Sequence, residues 1–256
     1  MWQKNKITGN YWVHCLNLQV TYERTRKRRS SEGVISLKVV LATTNQGKLQ
    51  EFRRILMPVG FEIITLRALN FKEEIEETGQ SFEENAFIKA LTIYKKFELP
   101  TIADDSGLEI DALNGFPGIY SARFDGIGTT FTQKCKKILE LMRDLGPERR
   151  QARFVSAICF VIDGTGINSF KENPCSCKVI TAKGECVGQI ATSVVGDRGF
   201  GYDPIFMFEG RTFAQLEPQQ KDKISHRGRA LKLFQEKLEK SGFEQLKERN
   251  NWDDAR

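Results

Sequence analysis

Thr43, Thr44, Asn45, Gln46, Gly47 and Lys48 lie between an apolar run and a stretch of helical periodicity. A polar loop that leaves a strand and opens a helix offers free backbone N–H groups and a positive helix end to an anion. Lys48 adds a point charge suited to a phosphate. The GxxxxGK[ST] spacing of a Walker loop is absent, and an ordinary turn with a solvated lysine has the same composition. A second group is acidic: Glu73, Glu74, Glu76 and Glu77, then Asp104 and Asp105. Magnesium takes hard oxygen ligands, often one or two carboxylates completed by water and substrate phosphates. At the end of a strand, Asp104 and Asp105 would both project into a cleft mouth, with Ser106 and Gly107 letting a phosphate approach the backbone. The competing reading is a turn in which aspartate caps the next segment. In Gly199-Phe200-Gly201-Tyr202-Asp203-Pro204, the flanking glycines would let the Phe200 ring lie flat against a nucleobase; core packing is the other use of such a ring. Lys221 and the run Ser225-His226-Arg227-Gly228-Arg229 gather donors at a helix start, Arg227 as a fixed fork, while His226 alone reads equally as a cap. An anion loop, a carboxylate pair, an aromatic platform and a donor cluster together are what a metal–nucleotide site requires.

These residues need elements to hold them. The run 38–43 (KVVLAT) reads as a strand, and Leu49, Phe52, Ile55 and Leu56 recur at helical spacing behind the polar loop. Residues 61–66 read as a second strand and 71–79 as an acidic loop. Ser81 with Glu84 has the form of a capping box opening a helix. Residues 101–103 form a short strand running into Asp104, 132–145 a helix stopped by Gly146-Pro147, and 152–163 (ARFVSAICFVID) the longest strand. Segments 179–182 and 187–191 read as two strands, 199–203 as a turn, 204–208 as a strand and 229–240 as the last helix. Strands and helices alternate early and strands cluster later, so the expected class is mixed α/β.

Composition narrows the function. Of 256 residues, 40% are hydrophobic and 28% charged, an ordinary globular balance. No apolar run approaches the ~20 residues that span a bilayer, and residues 1–20 are broken by Lys4, Lys6, Asn10, His14 and Asn17, unlike a clean signal peptide. The expectation is a cytoplasmic protein without a membrane partner. The net charge of +6 is concentrated at the start. Residues 1–36 hold seven basic and two acidic residues, which leaves 32 basic and 31 acidic in the rest. Residues 24–29 could serve as an electrostatic arm, but a basic run alone carries no base-reading chemistry, so a nucleic-acid partner is not expected. Cys175 and Cys177 form a lone CxC without a second pair at zinc spacing.

The stretches LATTNQGKLQEF, EETGQSFEENAFIKA, IADDSGLEIDALNGFPGIYSARF, GFGYDPIF and KDKISHRGRAL, taken together, resemble the inosine/xanthosine triphosphate pyrophosphatases. The likeness runs from Lys38 to about Phe234. It implies a mixed, elongated and curved α/β sheet flanked by helices, in two lobes with the nucleotide in the cleft between them. It implies Mg²⁺-dependent hydrolysis of ITP, dITP or XTP to the monophosphate and pyrophosphate, and a homodimer. Residues 43–48 would hold the phosphates. Asp105 matches the catalytic aspartate that also binds magnesium. Glu76 matches the second metal carboxylate, with Glu77 one position away. Ser106 and Lys221 would contact the nucleotide, and Phe200, Gly201, Tyr202, Asp203, His226 and Arg227 the base. The enzyme domain would span 37–243, with 1–36 an extension, 166–178 a surface insertion and 244–256 a polar tail. Thr44 stands where the family often has glycine. The alternative function is a nucleotide pyrophosphatase with another base preference.

Overall fold

Val39, Val40 and Leu41 are fully buried, as a strand covered on both faces requires. They belong to β1 (Leu37–Leu41) of the computed structural model, which describes residues 36–126, 128–163 and 177–241. The basic segment 1–35, residues 164–176, which take in 166–176 of the expected insertion, and residues 242–256 with the polar tail fall outside the described residues.

Behind β1 the chain forms α1 (Gln46–Leu56), capped by Asn45, whose side chain accepts from the Lys48 amide, and β2 (Phe61–Thr65). Ser81 caps α2 (Phe82–Phe97) by accepting from the Glu84 amide. Only half of the expected capping box forms, because the Glu84 carboxylate accepts from the Gln80 amide instead. β3 (Thr101–Ile110), α3 (Phe131–Leu141), β4 (Gln151–Asp163) and β5 (Cys177–Ile190) follow. β6 (Phe206–Phe208), β7 (Arg211–Thr212), α4 (Pro218–Ile224) and α5 (His226–Lys240) complete the described chain. The strands make one mixed sheet of order β2-β1-β3-β4-β5-β6-β7. β1 is parallel to β2 and β3, and the other neighbours are antiparallel. No helix of the described residues is long and apolar enough to cross a membrane.

Helices cover both faces. Leu49, Phe52 and Leu56 of α1 and Ala230, Leu231, Phe234 and Leu238 of α5 pack with Val39, Leu41, Ile102, Ile158 and Phe160. On the other face, Phe82, Ala86, Ala90 and Ile93 of α2 pack with Val40, Ala103, Val155, Ala157 and Cys159. A third cluster joins α3 to β4–β6 and includes Ile138, Phe154, Tyr202, Phe206 and Phe213.

Several expected boundaries move. β3 does not stop at Ala103 but runs through Asp104, Asp105, Ser106 and Gly107, because it is paired in unbroken antiparallel register with β4, Thr101 to Val161 through Ile110 to Ala152. Gly107 fits this strand because the chain at Gly118–Tyr120 lies close over it. A Cβ at Gly107 would sit 2.3 Å from the Gly118 carbonyl oxygen. The segments expected as two strands are one continuous β5, paired with β4 over its whole length, and it begins at Cys177, inside the expected insertion. α3 ends at Leu141, short of 145. There the carbonyls of Met142 and Leu145 accept from the Arg150 guanidinium, which also reaches the Ile190 and Ala191 carbonyls.

Candidate active site

Successive residues of a strand point to opposite faces of its sheet. Asp104 and Asp105 therefore cannot both enter one cleft mouth, and the expectation that they do is corrected by the length of β3. Asp104 faces α1 and α5. Its Oδ2 lies 2.8 Å from Lys48 Nζ and 3.2 Å from Arg227 Nη2, and accepts from Ser106 Oγ at 3.1 Å. Its Oδ1 accepts from Ser156 Oγ. Asp105 faces α2, where Oδ1 accepts from Lys89 Nζ at 2.7 Å and Oδ2 from Asn85 Nδ2 at 3.3 Å. The environments split the two acids. Burial pushes the Asp104 pKa up, but Arg227 and Lys48 beside it prevail and hold its carboxyl well below the usual range. Burial also raises Asp105, and there Lys89 and Lys48 offset it only in part.

The Asp104 side belongs to a chain of buried charges. Arg227 is 2% exposed; it donates through Nη1 to Glu51 and through Nη2 to Ser106 Oγ at 2.7 Å as well as to Asp104. Glu51 also holds Lys221 Nζ at 2.9 Å, and Lys221 reaches Asp203 Oδ2 at 2.5 Å. Burial raises the Glu51 pKa, but Arg227 and Lys221 lower it further, to below its ordinary value. Asp203 stays raised by burial despite Lys221. Over this chain lies the half-buried Phe200 ring, with Lys221 Nζ 4.5 Å and Arg227 Cζ 5.8 Å from its centroid. The ring packs so closely on the amino end of α1 that a Cβ at Gly47 would lie 2.3 Å from it. The first two amides of α1, of Gln46 and Gly47, have no intrahelical acceptor, and Thr43 Oγ1 accepts from the Asn45 amide. Thr44 contributes its carbonyl, which accepts from Gln46 Nε2 at 3.5 Å.

On the α2 side, Lys89 Nζ stands 2.9 Å from Glu77 Oε1 and 2.7 Å from Asp105 Oδ1, and also donates to the Asp104 carbonyl. One cation thus already reaches both carboxylates. Glu76, the expected metal carboxylate, is exposed, whereas Glu77 is half-buried and shares Lys89 with Asp105. No cluster of three or more His, Cys, Asp or Glu side chains able to hold a metal occurs among the described residues. Two carboxylates fit Mg²⁺, which dehydrates reluctantly and keeps water or phosphate for its other positions.

The other residues expected at the base have contacts within the protein. Tyr202 is 3% exposed; its hydroxyl donates to the Ser121 carbonyl and its ring meets Phe131 edge-on, so it braces the turn from within the core. The Gly201 carbonyl accepts from the Cys135 thiol. His226 is the first residue of α5, capped by Ser225, and stacks on Phe154 at 4.6 Å. Burial, then Arg227 and Lys221, drive its pKa well down, so it is neutral. His226 Nδ1 and Arg227 Nε are the buried side-chain nitrogens without a partner among the described residues. Sequence reading missed Lys89, Asn85 and Glu51. For the first two a signal existed: Asn85 and Lys89 fall on the same stripe as Phe82, Ala86, Ala90 and Ile93, where a helix places its core.

Comparison with known proteins gives this arrangement a lineage. The Ham1 family profile matches residues 39–237. A protein of Haemophilus influenzae named dITP/XTP pyrophosphatase is 44% identical over 203 residues, covering 78% of this chain and 98% of its own. One of the same name from Bacillus subtilis is 41% identical over 208 residues, covering 80% and 99%. The solved structure of a HAM1 protein from Coxiella burnetii superposes with a TM-score of 0.68 at 37% identity, covering 80% of this chain and 99% of that one. With its mixed seven-stranded sheet and its matching motifs, this chain belongs to the Ham1 family.

Proposed function

We propose that this chain is a nucleoside triphosphate pyrophosphatase that hydrolyses dITP, ITP and XTP to the monophosphate and pyrophosphate, clearing them from the nucleotide pool. The observation that carries the reading is the convergence of Asp105 and Glu77 on one cation beside the amino end of α1. The names of the Haemophilus influenzae and Bacillus subtilis relatives point the same way.

In this reading a water oxygen bonds to the α-phosphorus while the bond to the α–β bridging oxygen breaks. Mg²⁺, held by Asp105 and Glu77, would supply Lewis-acid stabilisation of phosphate charge. Asp105 takes the proton of the attacking water, and its burial-raised pKa makes it the stronger base of the two aspartates. Lys48 and the Gln46 and Gly47 amides offset charge growing on the departing pyrophosphate. Asn85 and Lys89 hold the Asp105 carboxylate from both oxygens. The base lies against Phe200 in a cleft between two lobes, and the donors of His226-Arg227 read the keto oxygen at purine position 6. The unpartnered His226 Nδ1 and Arg227 Nε support that assignment. Adenine presents an amino group there and leaves the donors unpaired, which is costly in a buried site. The reading carries with it a homodimer in the cytoplasm and an enzyme domain of residues 37–243.

The test is release of pyrophosphate from dITP and from ATP, each with Mg²⁺ and with chelator. Strong Mg²⁺-dependent release from dITP alone is expected. Equal release from ATP would keep the pyrophosphatase and overturn the base readout; no release from either would overturn the activity.

A further inference from the structure

Both carboxylate oxygens of Glu77 are taken. Oε1 accepts from Lys89 Nζ at 2.9 Å and Oε2 from Arg123 Nη1 at 3.1 Å. The two cations differ in freedom. Lys89 is buried and tied also to Asp105 and to the Asp104 carbonyl. The Arg123 side chain is 41% exposed, and its guanidinium lies 5.1 Å over the ring of Tyr120, itself an exposed residue. Exposed ion pairs are held weakly, so Arg123 is the partner Glu77 can give up. A ring beneath a guanidinium keeps it in place without claiming its hydrogen bonds.

Arg123 is also the outer end of a contiguous line of cations. Lys48 and Lys89 both reach the Asp104 carbonyl, at 3.4 and 2.9 Å, and Lys89 and Arg123 share Glu77. The line therefore runs from the amino end of α1, past Asp105, to the surface. A triphosphate is a line of anions, and a guanidinium fork matches phosphate oxygens in pairs.

We infer that Arg123 changes partners during the reaction: it holds Glu77 Oε2 until a divalent cation takes that oxygen, and then pairs with the phosphate chain of the substrate. This rests on the reading of Glu77 and Asp105 as the divalent-cation site. No bond is made or broken in the exchange; one ion pair replaces another. Arg123 is thus a substrate-contacting residue in the loaded site and a competitor of the metal before loading.

The two roles have opposite signs in binding, which separates them from a structural one. Mn²⁺ binding to the full chain without nucleotide, followed by electron paramagnetic resonance, and pyrophosphate binding in excess Mg²⁺, followed by calorimetry, should be compared for the unsubstituted protein and Arg123→Gln. The variant should bind Mn²⁺ about two- to fivefold more tightly, the scale of a weakly held pair. It should bind pyrophosphate about tenfold more weakly, the scale of one lost charge-assisted contact. Mn²⁺ affinity unchanged or weakened, or pyrophosphate affinity unchanged or improved, overturns the exchange. Glu77→Gln and Glu76→Gln separate this from failure of the site itself. If Glu77→Gln abolishes Mn²⁺ binding and Glu76→Gln does not, the site stands and Arg123→Gln alone decides. If Glu77→Gln binds Mn²⁺ normally, site and exchange fall together. Thermal melts of each variant verify the fold.

Discussion

Asp104 and Asp105 are adjacent in sequence and differ in surroundings, because a strand sends them to different faces. The charge of Asp104 is favoured where it sits, between Arg227 and Lys48, and its lowered pKa says so. Asp105 is held raised by burial, so its charge is tolerated rather than favoured. Asp105→Asn should therefore lower kcat for dITP by about 10²–10⁴-fold, the range of a lost general base, while the urea midpoint stays near that of the unsubstituted protein. Asp104→Asn should instead cost roughly 3–5 kcal/mol of stability, because it strands buried cations. Near-normal turnover by Asp105→Asn would remove it from the mechanism; equal midpoints for the two variants would remove the distinction between them. At this scale the sequence shows a carboxylate pair, Asp104 and Asp105, and only the family resemblance tells the two apart. What the motif did not reveal was its partners. Lys89 and Asn85 come from a helix 15 to 20 residues earlier, and only their position on an otherwise apolar stripe betrays them.

The elements matter through how closely they meet. The amino end of α1 approaches the 199–203 turn until only hydrogen fits at Gly47, with the Phe200 ring against it. A methyl there must push the ring off its seat over Lys221 and Arg227. Since the ring is half-buried and can move, Gly47→Ala should fold with little change in melting temperature. It should raise KM for dITP about tenfold, the effect of losing roughly 1.4 kcal/mol of binding, with kcat less affected. An unchanged KM would mean that the Phe200 ring has no part in holding the base. The same proximity explains what local reading could and could not supply. β1, α1, α2, β4 and the last helix follow from apolar periodicity and caps, which are local. The course of β3 is not local. Asp-Asp-Ser-Gly has turn composition, and it becomes strand because a 13-residue partner, β4, supplies a full ladder and because the Gly118 carbonyl closes over Gly107. The union of the two expected β5 strands has the same cause, pairing with β4 along its whole length.

Across the whole molecule, the buried charges form one connected path through five parts of the chain: Lys48 and Glu51 on α1, Asp104 on β3, Asp203 in the turn, Lys221 on α4 and Arg227 on α5. Apolar packing fixes how these elements stack, but it does not discriminate between small slips. A path of ion pairs does, because each slip strands a charge in a medium that cannot solvate it. Glu51 is the junction, serving both Lys221 and Arg227 at 4% side-chain exposure. Replacing it with glutamine keeps the shape and removes the charge, and should cost roughly 3–5 kcal/mol at neutral pH. The pH dependence follows from the direction of its pKa. The folded value lies below the ordinary 4.5, so the stabilisation from Glu51 is fully present above that value and is lost as pH falls through the folded pKa. Urea unfolding at pH 7, 5 and 3.5 should therefore show a gap between the unsubstituted protein and Glu51→Gln that is constant from pH 7 to 5 and narrower at pH 3.5. A gap that widens on acidification would mean that the Glu51 charge is a burden the fold tolerates, and that Lys221 and Arg227 are held by Asp203 and Asp104 alone.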